Sequence, residues 1–172
     1  MTIHKYIKNY CDLFNDIKNI EKLRSKIRRY KKNSSKKILL FGNGGSSSIC
    51  SHIATDMVKI NGIRSHSFND HNLITCFGND YGFENWITNA LKNFCDKSDL
   101  VILISSSGNS KNMINAAKYC KKNRIDFFSL TGFKKNNKLS KVSKNTIWVD
   151  SNKYNYVESA HFQILAYIVD TI

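Results

Sequence analysis

Proline is absent from the chain, no Cys-x-x-Cys pair occurs, and acidic side chains number 13 against 27 lysines and arginines. The missing proline, with abundant Lys, Asn and Ile, is read as compositional bias and carries no functional argument. Five cysteines (Cys11, Cys50, Cys76, Cys95 and Cys120) are an odd count without paired spacing. That excludes a disulfide framework and a thiolate zinc site, and suggests reduced, mostly buried thiols. No apolar run reaches the ~18 residues of a membrane span, and Met1-Thr2-Ile3-His4-Lys5-Tyr6 lacks the apolar region of a signal peptide. A cytoplasmic, soluble protein with no membrane partner is therefore expected. The shortage of acid leaves a formal charge of +14. Clustered cations would point to nucleic acid, but these are scattered and no aromatic residues interleave with them. They read as a solvated surface, or as attraction for a small anion or acidic partner.

What remains suffices for one domain with a core: 172 residues, 41% apolar. Ile38-Leu39-Leu40-Phe41 reads as a strand, followed by Gly42-Asn43-Gly44-Gly45-Ser46-Ser47-Ser48 and then a segment of helical period. Glycines let backbone approach a ligand, and the following helix offers free N–H groups and the positive end of its dipole. The same order recurs at Leu100 to Ile104, then Ser105-Ser106-Ser107-Gly108-Asn109-Ser110. Two such turns at strand ends suggest one polar ligand held between them.

Elsewhere, Ile3, Tyr6, Tyr10, Leu13, Ile17, Ile20 and Ile27 predict one or two amphipathic helices over the leading 35 residues, with no chemical role and a possible place in a subunit interface. Residues 65–68 are a poor strand candidate, and 75–83 reads as an ordered loop. Glu84 to Asp96 and 113–120 have helical period. Asp126 to Leu130 and Thr146 to Val149 are strands, and the apolar stripe from Val157 to Ile172 marks a last helix. Alternating strands and helices give a single α/β domain: a three-layer, doubly wound, five-stranded parallel sheet with a helical extension in front. His52 and Asp56, four apart, share a helix face and either meet a ligand or form a surface ion pair.

Gly42-Asn43-Gly44-Gly45-Ser46, His52, Gly78-Asn79-Asp80-Tyr81-Gly82-Phe83, Ser105 to Ser110 and Leu130-Thr131-Gly132 together resemble a sugar isomerase (SIS) domain, and within that family the phosphoheptose isomerases. The resemblance implies interconversion of sedoheptulose 7-phosphate and D-glycero-D-manno-heptose 7-phosphate by a homotetramer, with no nucleotide cofactor. It implies that Ser46, Ser105, Ser107 and Ser110 hold the phosphate and that Asn43 and Asp80 meet sugar hydroxyls. The family's glutamate base corresponds to Asp56, one methylene shorter, and its catalytic histidine to Ala166. His52, Asp56 and Glu158 would form a three-ligand zinc site, and His161 or a metal-bound water would serve as the acid. Two alternatives stay open: a non-catalytic SIS protein that binds a sugar phosphate or a protein, and an isomerase for a different phosphorylated sugar.

Overall fold

The computed structural model describes residues 1–31 and 35–172, so 32–34 of the leading segment lie outside the described residues. Five strands, β1 (Ile38–Gly42), β2 (Ser65–Ser67), β3 (Leu100–Ser105), β4 (Asp126–Thr131) and β5 (Thr146–Trp148), form one sheet in the order β2-β1-β3-β4-β5. Every pairing is parallel. The connecting helices are α3 (Gly45–Asn61), α4 (His71–Tyr81), α5 (Trp86–Phe94), α6 (Lys111–Asn123) and α7 (Lys138–Val142). Two more, α1 (Ile3–Cys11) and α2 (Ile17–Arg28), precede the sheet, and α8 (Tyr154–Thr171) closes the chain.

All residues of β1 and β3 are buried. Successive strand side chains point to opposite faces, so these runs need cover on both sides. Ile38, Leu40, Ile102, Ile104 and Leu130 meet α2, α3 and α8, while Leu39, Phe41, Val101, Leu103 and Phe127 meet α5 and α6. The result is the expected three-layer arrangement with two separate apolar cores.

Four expectations change. Residues 75–81 belong to helix α4, not to a loop. Asp70 accepts a hydrogen bond from the Leu73 N–H (2.9 Å) as N-cap, and Leu73, Ile74 and Phe77 lie against the second core. The cap and the apolar spacing outweigh the single Gly78 inside the helix. The short helix α7, capped by Asn137, was not anticipated. Only Cys50 and Cys120 of the five free thiols are buried, with Cys11 and Cys76 exposed.

The fourth change concerns the leading segment, whose two helices fall within the expected number but differ in what they bury. α2 buries Ile20, Leu23 and Ile27, whereas α1 buries nothing fully. It leans on α8 instead: the Tyr6 and Tyr156 ring centroids are 4.5 Å apart, and the Tyr10 hydroxyl donates to the Ser159 carbonyl (3.0 Å). That contact carries α1 to the edge of a cavity described below, so its role is not confined to packing.

Replacing Asp70 with Ala removes the α4 cap and is expected to cost about 1 kcal/mol. Urea unfolding followed by circular dichroism measures it, and an unchanged midpoint would contradict the role given to Asp70.

Candidate active site

The sheet order reverses between β1 and β3, because the chain runs from β1 to β2 on one side and returns to β3 on the other. At such a reversal the two following loops splay apart and leave a crevice at the carboxyl ends of the strands. Both glycine- and serine-rich turns lie here. In the first, the Ser46 N–H donates to the Asn43 carbonyl (3.1 Å) and the Ser47 N–H to that of Gly44 (2.9 Å), which starts α3. In the second, Gly108 takes φ +63° and donates its N–H to the Ser105 carbonyl (3.0 Å). Ser107 Oγ accepts from the Asn109 N–H (3.2 Å), Ser105 and Ser110 hydroxyls are 3.5 Å apart, and Ser110 occupies the N-cap position of α6 without a side-chain hydrogen bond to the helix. Two helix N-termini, each with positive partial charge, thus flank the crevice.

A pair of side-chain amides bridges it. Asn43 Nδ2 donates to Asn112 Oδ1 (3.1 Å) and Asn112 Nδ2 donates back to Asn43 Oδ1 (2.9 Å). Asn112 was not singled out from the sequence, though its place in the first turn of α6 was a usable signal. Ser46 is buried at 3% exposure. Asp80 is exposed in the last turn of α4, where its carboxylate accepts from Asn79 Nδ2 (3.0 Å).

Beside the first turn lies a cavity of about 480 Å³, lined by Gly45, Ile49, Tyr6, Tyr10, Glu158, Ser159, Phe162 and Gln163. Glu158 closes over Gly45: a Cβ on that glycine would come within 2.4 Å of Glu158 Oε2, so the carboxylate lies directly against the α3 N-terminus and a side chain there would push it aside. Tyr6, Tyr10, Phe162 and Gln163 carry no site signal in the sequence. The tyrosines belong to the apolar stripe of a leading helix expected to pack or to meet a second subunit, and the other two lie on α8 beside Glu158.

The proposed zinc set does not assemble. His52 Nε2 and Asp56 Oδ2 are 3.1 Å apart, but the Phe162 ring, one turn after Glu158, stands edge-on to His52 with centroids 5.0 Å apart. Glu158 remains at Gly45, and among the described residues no three His, Cys, Asp or Glu side chains are grouped to hold a metal. The residues present therefore do not fit zinc within one chain.

His161 is also out of place for an acid. It is fully buried, and its Nε2 lies 3.2 Å from the Thr131 carbonyl. A carbonyl only accepts, so Nε2 carries the proton, and burial pulls the imidazole pKa down from 6.5 to about 4. Ala166, half-buried, packs against the first core.

Comparison with known proteins agrees with this architecture. A profile of the SIS domain matches residues 5–132. The chain belongs to the SIS domain family. It is 33% identical over 167 residues to the phosphoheptose isomerase of Sulfurimonas denitrificans, covering 94% of this chain and 83% of that protein. Among solved structures, a phosphoheptose isomerase from Francisella tularensis superposes with a TM-score of 0.81 at 21% identity, covering 99% and 97% of the two chains. One from Neisseria gonorrhoeae gives 0.77 at 22%, covering 98% and 97%. At those identities the structural likeness is one of fold.

Burial of neutral His161 in this SIS domain has a pH signature. Between about pH 6.5 and 4 the unfolded chain binds a proton there that the folded chain does not. Its contribution is complete above 6.5 and lost as pH falls through that window. Melting temperature against pH for the wild type and His161→Gln should diverge between 6.5 and 4, the wild type falling more steeply. Parallel curves would refute the assignment.

Proposed function

We propose that this chain is a sugar-phosphate isomerase that interconverts sedoheptulose 7-phosphate and D-glycero-D-manno-heptose 7-phosphate. The observation that carries the reading is the pair of helix N-termini at one strand-order reversal, bridged by Asn43 and Asn112, with a carboxylate-bearing cavity at its side. The phosphate is held by Ser105, Ser107 and Ser110 with the α6 amides, and Ser46 supports the first turn. Asn43 and Asp80 serve the sugar hydroxyls. The family membership and the phosphoheptose isomerase of S. denitrificans support the substrate class.

Isomerisation moves one proton from C1 to C2 through an enediol while the hydroxyl proton passes from O1 to O2. A carboxylate must take and return the carbon-bound proton. Glu158 is the carboxylate beside the first turn, placed to act on a sugar whose carbonyl oxygen lies at the positive end of the α3 dipole. Asp56, the base implied by resemblance, lies eleven residues beyond Gly45 on α3, about 16 Å along the helix, and pairs with His52. No step is assigned to zinc. The homotetramer belongs to the same reading, with Ile3 and Ile7 of α1, 65% and 52% exposed, as apolar surface for a second copy. A second reading, a sugar-phosphate-binding protein without turnover, is favoured by Ala166 and by the burial of His161.

The assay is conversion of sedoheptulose 7-phosphate by the purified chain, with and without added zinc. Glu158→Gln should lower kcat by about 10²–10⁴-fold and leave KM nearly unchanged. Ser107→Ala should raise KM about tenfold, the loss of one charge-assisted hydrogen bond. A comparable kcat loss in Asp56→Asn with none in Glu158→Gln would transfer the base to Asp56. Phosphate-ester binding without turnover would establish the second reading.

A further inference from the structure

Three buried side-chain groups near the carboxyl ends of β3 and β4 make no hydrogen bond among the described residues: Ser106 Oγ, Thr131 Oγ1 and His161 Nδ1. An unpaired polar atom in an interior costs stability, and a leucine at position 161 would continue the apolar stripe of Val157, Ala160, Ile164, Leu165 and Ile168 at no such cost. What leucine cannot supply is an N–H aimed at the Thr131 carbonyl. That carbonyl takes one hydrogen bond from the Val149 N–H (2.8 Å) and a second from His161 Nε2 (3.2 Å), using both lone pairs.

The same peptide unit, which joins the Thr131 carbonyl to the Gly132 N–H, carries the restraint to the phosphate loop. Gly132 donates its N–H to the Ser106 carbonyl (2.8 Å), in the middle of the serine turn. Its packing is tight. A Cβ on Gly132 would meet the Val157 methyls at 2.6 and 2.7 Å and the Ser106 carbonyl at 3.2 Å. Val157 sits one turn before His161, so α8 presses on Gly132 with one side chain and anchors Thr131 with the next. Ser106, Gly132 and His161 therefore form a continuous link from the last helix to the serines assigned to the phosphate.

We propose that His161 is a positioning residue: through Thr131 and Gly132 it fixes the backbone of the Ser105–Ser110 turn in the form that grips a phosphate ester. It touches no substrate. The inference deepens the reading of that loop given above and rests on it.

The test separates a lost hydrogen bond from lost packing. Titration calorimetry measures sedoheptulose 7-phosphate binding to the wild type, His161→Leu and His161→Gln, and melting temperatures are recorded for all three. His161→Leu should melt at or above the wild-type temperature yet bind about tenfold more weakly, the equivalent of one hydrogen bond. A glutamine Nε2 reaches the same place as the imidazole Nε2, so His161→Gln should bind within about twofold of the wild type. Equal affinity of the leucine variant and the wild type overturns the inference, as does a glutamine variant no better than the leucine one. A leucine variant too unstable to assay, with a glutamine variant that melts normally but binds tenfold more weakly, overturns it too. Failure of the wild type itself to bind the ester would instead remove the phosphate-loop reading on which it stands.

Discussion

Burial of β1 and β3 on both faces is the constraint from which the rest of the molecule follows. A strand with every side chain covered must lie between two layers, and parallel neighbours require a crossover at each step. The crossovers leave all strand ends with the same polarity on one edge, so loops that begin helices collect there. The chain sends β2 to one side of β1 and β3 to the other, which opens the edge at one point. Both serine-bearing turns border that opening because of topology, and each brings the positive end of a helix dipole to it because a helix starts immediately after it.

α8 ties the layers to this edge. Its buried stripe seals the core over β3 and β4, while Tyr156 receives α1, Glu158 meets Gly45, and His161 reaches Thr131. Those last three contacts lie within six residues, less than two turns of helix. A packing change in this stretch is therefore felt at the strand ends, and the chemistry and the core cannot be varied independently there.

The strands and both phosphate-type turns were legible because short apolar runs bounded by Gly and Ser have few other readings. The helix at 71–81 was not, since Gly78 and a polar composition hid a cap and three apolar contacts. His161 was legible and was misread. Its position, four after Val157 and one after Ala160, falls within the buried stripe of α8, whereas Glu158 and Phe162 fall beside it. Its place about one turn after Glu158 suggested the same side of the helix, whereas helical phase already indicated that this imidazole points inward. The place of α1 at the cavity edge could not be read, because it depends on ring and hydroxyl contacts with residues about 150 positions later.

The unassembled metal set has the same origin. On α8, positions 158 and 162 are successive turns of one face, so the residue that meets His52 depends on the level at which the helix sits. Phe162 occupies that level, and Glu158 stands a turn away at Gly45. Bringing Glu158 to His52 would require α8 to slide by about one turn, 5.4 Å. Val157, Leu165 and Ile168 are fully buried, and a slide of that size would unseat them all together. Close-packed interiors resist such continuous displacement, so the helix register, set by the core, decides which carboxylate faces the first turn and which pairs with a histidine.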